Sequence, residues 1–192
     1  MSAVLERTDE IRGLDRLPPD ALYEVIDGEA KEIPHLGFAA NQVAVQFVIK
    51  LDQAKSNPRD LVTMESLFDL PIAERRRRRP DVAYVPAERV PGSWPPPFGI
   101  DPPAIEAVPS ITVEVISPTD LANEVEEKRR DYFAAGVELV LLVFPMTQTI
   151  HVWRTSHDCQ ILSTGDVLEL GNRLPAFSVR VAEFFAPLNR PS

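Results

Sequence analysis

Two carboxylates and one amine stand in parts of this sequence where charged side chains are unexpected. Glu114 lies inside an apolar run, and Lys128 falls within the apolar stripe of a predicted helix. Asp81 begins a further apolar run directly after Pro80. Carboxylate oxygens bind Mg²⁺ without filling its coordination shell, so water and phosphate can still reach the metal. A nearby lysine can orient or help to deprotonate the attacking water and offset charge on phosphate oxygens. The trio could therefore support metal-assisted cleavage of phosphodiester bonds.

Glu114 is the least expected of the three in its surroundings. The segment Ile111–Ile116 is β-branched almost throughout, as expected of a strand buried on both faces. A charged carboxylate in such a strand costs several kcal/mol unless it is paired or bound to a metal. The alternative is a glutamate near the end of the strand that points to solvent or pairs with an arginine.

Lys128 belongs to a predicted helix that begins after Thr119 or Asp120, either of which could cap it, and ends near Ala135. Gly136 follows as a plausible C′ residue. Lys128 lies at the centre of the apolar stripe, which consists of Leu121, Val125, Tyr132 and Ala135. Because the helix directly follows the Glu114 strand, it should pack on that sheet and bring the amine within reach of Glu114. The alternatives are a lysine that extends to solvent and, for Asp81, an aspartate that caps a turn.

The remaining elements are predicted from periodicity and turn signals. Asp27-Gly28 predicts a hairpin, in which pairing Ile26 with Glu29 places Glu24 opposite Lys31. Apolar residues at steps of three and four predict an amphipathic helix from Phe38 to about Lys55. Further elements are predicted as strands Val62–Phe68, Leu139–Phe144 and Thr149–Arg154, short strands to about Leu170, and a helix near Val181–Phe185. This order predicts an α+β fold with a mixed central β-sheet flanked by helices.

Length and composition limit the possible classes of protein. The 192 residues, of which 44% are hydrophobic, suit a single domain with a sizeable core, in which residues 1–16 would be loosely ordered and the proline-rich segment 86–109 would form a surface loop. One cysteine and three dispersed histidines exclude a disulfide framework and a zinc site rich in sulfur or histidine. The sequence has neither a secretory signal nor a run long enough to cross a membrane, so we expect a cytoplasmic protein.

Five consecutive arginines, Arg75–Arg79, end two positions before Asp81. In an extended chain, alternate side chains project to opposite sides. We therefore expect two or three of them, such as Arg76, Arg78 and Arg79, to face a DNA phosphate backbone, where they would position the substrate without recognising its sequence. The alternative is a solvated loop whose charge balances nearby acids. The net charge of −9 argues against a general nucleic-acid coat protein but not against a nuclease, since clustered carboxylates contribute to it.

Several segments, in this order, resemble the Uma2 family of endonucleases, also called DUF820, within the PD-(D/E)XK nuclease superfamily. The similarity covers about residues 17–187, and the matching segments are Tyr23-Glu24-Val25-Ile26-Asp27-Gly28-Glu29, Arg79-Pro80-Asp81-Val82-Ala83, Val113-Glu114-Val115-Ile116-Ser117-Pro118-Thr119-Asp120, and Glu127-Lys128 with Tyr132 and Gly136-Val137. The resemblance implies a restriction-endonuclease-like core that binds Mg²⁺ or Mn²⁺ through Asp81 and Glu114. It also makes Glu29 a candidate for a further metal ligand, although a simple turn residue is an equal alternative.

The sequence departs from the family pattern at three places. Ile116 occupies the place of the lysine that normally lies two residues after the second acid. The resemblance to Uma2 implies that Lys128 on the next helix supplies the amine instead. Asn41-Gln42 stands where family members often have a histidine, and Phe144 replaces a family aspartate.

The leading hypothesis is a metal-dependent endonuclease that hydrolyses DNA. A nuclease of this size that cuts both strands would commonly need a two-fold dimer, so a homodimer is compatible with this hypothesis. The second hypothesis is a catalytically silent module with the same fold that binds nucleic acid or protein. A metabolic enzyme that uses the acids as a general acid/base pair ranks last, because the sequence has no glycine-rich phosphate loop or cofactor fingerprint.

Overall fold

The computed structural model describes residues 11–72, 75–92, 94–95 and 104–189. Its helices are α1 (Phe38–Ala54), α2 (Ala122–Ala135) and α3 (Val181–Phe185). Its strands are β1 (Tyr23–Ile26), β2 (Glu29–Glu32), β3 (Leu61–Met64), β4 (Phe68–Asp69), β5 (Arg77–Arg78), β6 (Val82–Val85), β7 (Ile111–Val115), β8 (Leu139–Phe144), β9 (Thr149–Trp153), β10 (Cys159–Leu162), β11 (Val167–Glu169) and β12 (Ser178–Arg180).

The central sheet has six strands in the order β10-β9-β8-β7-β6-β3. β7 and β8 are parallel because α2 forms the crossover between them, whereas the other neighbouring strands are antiparallel. The sheet is therefore mixed and carries helices on both faces. These features confirm the predicted α+β fold with a mixed central sheet.

The two faces of this sheet are covered by different helices. On one face, α1 and α3 bury Phe47, Leu51 and Phe184 against alternate strand residues such as Val113. On the other face, Tyr132 of α2 packs with Ala83, Leu142 and their neighbours. Side chains alternate along a strand, so the intervening β7 residues Thr112 and Glu114 belong to the α2 face. The strand is buried on both sides, as its composition predicts.

A smaller sheet in the order β2-β1-β5-β4 lies beside the central one. Its β1–β2 hairpin has the predicted register, with Ile26 opposite Glu29 and Glu24 opposite Lys31. Asp27 and Gly28 both have positive φ angles, 53° and 75°, which is the turn geometry that an Asp-Gly pair favours. The arginine run supplies β5, which pairs with β1 and β4.

Two local predictions are wrong. The expected strand Val62–Phe68 is divided into β3 and β4, which belong to different sheets, because Glu65 adopts a left-handed conformation with φ of 50°. Neither Thr119 nor Asp120 caps α2, whose N-cap position is Leu121. The Asp120 carboxylate instead accepts a hydrogen bond from the Ser117 backbone N–H at 2.7 Å and closes a separate turn before the helix.

The predicted ends of the helices are confirmed. α1 ends at Ala54, shortly before Asn57-Pro58, and α2 is followed by Gly136 with φ of 96°. α3 spans the predicted residues. Within segment 86–109, the described residues form a short 3₁₀ turn at Ala87–Arg89 and a bridge between Phe68 and Ile105. The predicted loop 86–109 and the predicted loosely ordered start 1–16 fall in part on residues outside the described part of the chain, namely 1–10, 93 and 96–103. Within the described residues 11–16, Arg12 forms a bridge with Glu29 and Leu14–Arg16 form a 3₁₀ turn.

None of the helices in the described part of the chain has the length and apolar character that crossing a membrane requires.

Candidate active site

The strand registers bring Asp81 and Glu114 to the same edge of the central sheet. In the antiparallel β6–β7 pair, Val82 lies opposite Val113, so the next position along this register places Asp81 opposite Glu114. Side chains directly opposite each other on antiparallel strands project from the same face. Because Glu114 belongs to the α2 face, the Asp81 carboxylate shares that face with it. The two acids predicted from the sequence are therefore brought together.

Asp81 is held at the start of β6 by contacts to both neighbouring strands. Its Oδ2 accepts a hydrogen bond from the Val115 backbone N–H at 2.5 Å, and its carbonyl oxygen accepts one from the Glu65 N–H at 3.1 Å. Burial, followed by the negative charge of Glu114, raises the pKa of the Asp81 carboxyl well above its usual value. The raised pKa means that a second unprotonated carboxylate beside Glu114 is disfavoured in the metal-free site.

Glu114 is 5% exposed, and each of its carboxylate oxygens has a partner on α2. Its Oε2 lies 3.2 Å from Lys128 Nζ, and its Oε1 accepts a hydrogen bond from the Tyr132 hydroxyl at 2.5 Å. Burial raises the pKa of Glu114, and the Lys128 ammonium opposes part of that rise. Lys128 and Tyr132 are one helical turn apart, so they lie on the same face of α2.

Lys128 lies between two buried carboxylates. Its Nζ is 3.0 Å from Glu24 Oε1 and 3.2 Å from Glu114 Oε2, and its side chain is 20% exposed. Burial alone would lower the pKa of Lys128, but the charges of Glu114, Glu24 and Asp81 together raise it above its usual value. The side chain is therefore an ammonium ion that points into the site, as the apolar stripe predicts, and does not extend to bulk solvent.

Glu24 completes the cluster and is a residue that the sequence analysis missed. It comes from β1 and is 2% exposed. Burial would raise its pKa, but Lys128 and Arg78 lower it below the usual value, so Glu24 is a buried anion. One sequence signal was available: Glu24 lies in the hairpin segment that resembles Uma2. Glu29, a candidate metal ligand on the other strand of that hairpin, is exposed at the start of β2 and does not belong to the buried cluster.

Arg76 and Arg78 project to one side of the arginine run and Arg77 to the other, as predicted. Their partners are carboxylates of the protein itself. Arg78 is 2% exposed and pairs with Glu24 and Asp131, whereas Arg76 is 8% exposed and pairs with Glu127 and Asp27. Arg77 lies on the opposite side and pairs with Asp69. For Arg76 and Arg78, this geometry favours the alternative of charge balance over contact with a phosphate backbone.

Arg79 has a different environment and is half-buried. Its guanidinium donates hydrogen bonds to the backbone carbonyls of Tyr23, at 3.2 Å, and Glu65. It also lies over the Tyr23 ring, 5.7 Å from the centroid. No carboxylate pairs with it among the ion pairs of the described residues. A role for Arg79 in binding substrate stays a prediction.

The donor set of the cluster fits a small, hard divalent cation. Mg²⁺ is commonly bound by one or two carboxylates and keeps several water ligands. Asp81 and Glu114 supply two carboxylates with oxygen lone pairs beyond those used by Val115, Lys128 and Tyr132. Residues 11–72, 75–92, 94–95 and 104–189 contain no group of three or more His, Cys, Asp or Glu that could form a fuller cage. A metal here would therefore rest on two carboxylates and leave positions for water.

Residues 9–182 match the family model Uma2, described as "Putative restriction endonuclease". The chain belongs to the Uma2 family. The match covers nearly the whole length and confirms the resemblance seen in the ordered sequence segments. No curated protein matches this Uma2 chain.

A solved structure supports the fold of this Uma2 protein. The crystal structure of a protein from Anabaena variabilis ATCC 29413, described as a putative nuclease belonging to DUF820, superposes with a TM-score of 0.76. The superposition covers 91% of this chain and 96% of that one, with 16% sequence identity. The likeness establishes that the two proteins share one fold over nearly the whole of both chains.

Proposed function

We propose that this protein is an endonuclease that hydrolyses DNA phosphodiester bonds with Mg²⁺ or Mn²⁺. The observation that carries the proposal is the meeting of Asp81, Glu114 and Lys128 at one edge of the central sheet, with Lys128 Nζ 3.2 Å from Glu114. Two carboxylates from adjacent strands and one ammonium are the groups that metal-assisted phosphodiester cleavage needs. Membership of the Uma2 family supports the same class of reaction.

In this proposal, Asp81 and Glu114 hold the cation. When bound, the cation lowers the pKa of a water ligand and polarises the phosphate. Tyr132 fixes one oxygen of Glu114, and the Val115 N–H fixes one oxygen of Asp81, so both carboxylates are oriented before a metal arrives. Such pre-orientation lowers the cost of assembling the site during the reaction.

Lys128 acts in this proposal as a fixed positive charge. The three surrounding carboxylates outweigh the effect of burial and raise its pKa, so the amine carries a proton at neutral pH. An ammonium can donate hydrogen bonds to phosphate oxygens and offset the charge that develops on them. Orientation of the attacking water through the same N–H groups is compatible with this role, whereas proton abstraction by the amine is not favoured.

The test is cleavage of supercoiled plasmid and of circular single-stranded DNA with Mg²⁺, Mn²⁺ or EDTA. The wild-type protein, Glu114→Gln and Lys128→Met would be compared at matched concentration, with Glu32→Gln as an exposed control on β2. We expect metal-dependent cleavage by the wild type and the control, and little by the two site variants. Equal cleavage by all four proteins would contradict the assignment.

A second candidate function is a catalytically silent module of the same fold that binds nucleic acid or protein. The features that favour it are the net charge of −9 and Phe144, which stands where the family resemblance implies an aspartate. Binding of DNA without cleavage, and without a change in affinity between EDTA and Mg²⁺, would support this candidate over the first.

A further inference from the structure

Glu24 is a buried carboxylate whose two oxygens are both occupied by the protein. Oε1 lies 3.0 Å from Lys128 Nζ and accepts the Arg79 backbone N–H at 3.0 Å. Oε2 accepts a hydrogen bond from Arg78 Nη1 at 2.8 Å. A carboxylate with 2% exposure is costly to bury, and its partners offset that cost. Glu24 therefore differs from Asp81, whose other oxygen makes no hydrogen bond within the described residues.

Glu24 belongs to a row of alternating charges that begins and ends on α2, in the order Lys128, Glu24, Arg78 and Asp131. Arg78 bonds to Glu24 on one side and, through Nε, to Asp131 Oδ2 at 2.7 Å on the other. Asp131 lies one helical turn after Lys128, so both ends of the row are on α2. Glu24 and Arg78 come from β1 and β5, which belong to the smaller sheet. The smaller sheet is thereby tied to the helix that carries the site amine.

We propose that Glu24 is a positioning residue that holds the Lys128 ammonium against Glu114, with Arg78 and Asp131 fixing Glu24 in turn. The proposal rests on the proposed function, because it assigns Glu24 an effect on cleavage through Lys128. Lys128 Nζ lies between the two carboxylates, 3.0 Å from one and 3.2 Å from the other, so its position is set by both. Without Glu24, the amine keeps one anchor and a long flexible stem, and it loses its defined place beside the reacting phosphate.

The decisive comparison is Glu24→Gln in two backgrounds, wild type and Lys128→Met. If Glu24 acts through Lys128, the substitution lowers kcat about 10–100-fold in the wild type, the usual effect of losing a residue that orients a group at a metal site. The KM for DNA should change little, and in the Lys128→Met background the same substitution should cost much less. An equal loss of kcat in both backgrounds would show a general structural role and overturn the proposal.

Two controls separate positioning from loss of stability. Asp60→Asn changes another buried carboxylate, which is 7% exposed and bonds to Tyr84 and the Ala87 N–H, away from the site. Glu32→Gln removes an exposed charge from the same hairpin. If Glu24→Gln does not fold, Glu24→Asp takes its place in both backgrounds, because it keeps the charge but withdraws the carboxylate from Lys128. Full activity of Glu24→Asp would overturn the proposal.

A second readout does not need nuclease activity. In protein labelled with ¹⁵N-lysine, the ammonium resonance of Lys128 is identified by its absence from Lys128→Met. We expect a resolved resonance in the wild type, an unchanged one in Glu32→Gln, and a shifted or broadened one in Glu24→Gln. An unchanged resonance in Glu24→Gln, or none in the wild type, would overturn the positioning role. A wild type that shows this resonance but cuts no DNA would instead contradict the proposed function alone.

Discussion

Asp81 and Glu114 face each other across adjacent antiparallel strands, one position beyond the Val82–Val113 pair. Antiparallel register places their side chains on one face of the sheet, and α2 covers that face with Lys128 and Tyr132. Burial and the charge of the neighbouring acid raise the pKa of Asp81. Like charges held together in this way destabilise the metal-free fold.

Asp81→Asn should stabilise the metal-free protein at neutral pH. The folded pKa of Asp81 lies above its unfolded value, so this carboxyl favours folding at low pH, and that contribution is lost as pH rises through the folded pKa. Asparagine removes the charge and can still accept the Val115 N–H. We expect a gain of about 1 kcal/mol at pH 7, measured by thermal unfolding in EDTA.

The same variant should respond differently to pH and to metal. The difference in Tm from the wild type should shrink as pH falls towards 4, where the unfolded carboxyl also takes up a proton. Mg²⁺ should raise the Tm of the wild type more than that of Asp81→Asn, because a ligand stabilises the state that binds it. A lower Tm for Asp81→Asn at pH 7 in EDTA would contradict the prediction.

Arg78→Met should destabilise the fold strongly. The substitution leaves the buried carboxylates of Glu24 and Asp131 without the guanidinium that compensates them. Removing one partner of a buried ion pair costs about 3–5 kcal/mol, which urea unfolding would measure. Arg77→Met is the matched control, since the half-buried pair of Arg77 with Asp69 should contribute much less.

If Arg78 instead contacts DNA, its replacement would raise the KM for DNA and leave the unfolding free energy near that of Arg77→Met. The two substitutions therefore distinguish a structural arginine from a phosphate-binding one.

Tyr132→Phe should weaken both stability and cleavage. It removes the hydroxyl that donates to Glu114 Oε1 at 2.5 Å and leaves that buried oxygen without its partner. We expect a loss of about 1–3 kcal/mol in unfolding free energy and a lower affinity for Mn²⁺, measured by calorimetric titration. Phe133→Leu, on the next position of α2, should leave the Mn²⁺ affinity unchanged.

The site trio could be predicted because Glu114 and Lys128 are charged residues in apolar patterns, and each pattern is local. The β-branched residues around Glu114 and the apolar helix positions around Lys128 are close to them in the sequence, so each charge could be recognised as unusual without the tertiary structure. Asp81 depended on resemblance, because an aspartate after a proline is equally typical of a turn.

Glu24 could not be predicted in the same way. Its hairpin register is correct and offers Lys31 as a nearby partner, so its sequence context gives no sign of burial. Its true partners, Arg78 and Lys128, come from distant parts of the chain and reach it only after the smaller sheet packs against α2. The burial of Arg76 and Arg78 could not be predicted for the same reason. The alternation of the arginine side chains could be predicted, because it depends only on the extended backbone.

The cap of α2 shows a second limit of local patterns. Ser117-Pro118-Thr119-Asp120 contains good capping residues, but Asp120 satisfies the Ser117 N–H and forms a turn of its own. Ser, Thr and Asp side chains can bond to backbone N–H groups in a turn as well as at the start of a helix. The segment therefore predicts roughly where α2 begins but not which residue is its N-cap.

If Asp81 and Glu114 hold the metal that DNA cleavage needs, the loss of one of them should appear most clearly in the rate of plasmid nicking by Asp81→Asn in Mn²⁺. Asp60→Asn serves as the matched aspartate control. We predict that Asp81→Asn, although at least as stable as the wild type, nicks at least about 100-fold more slowly, because even outer partners of a metal site contribute 10–100-fold. Nicking by Asp81→Asn at the wild-type rate would contradict metal binding by Asp81 and Glu114.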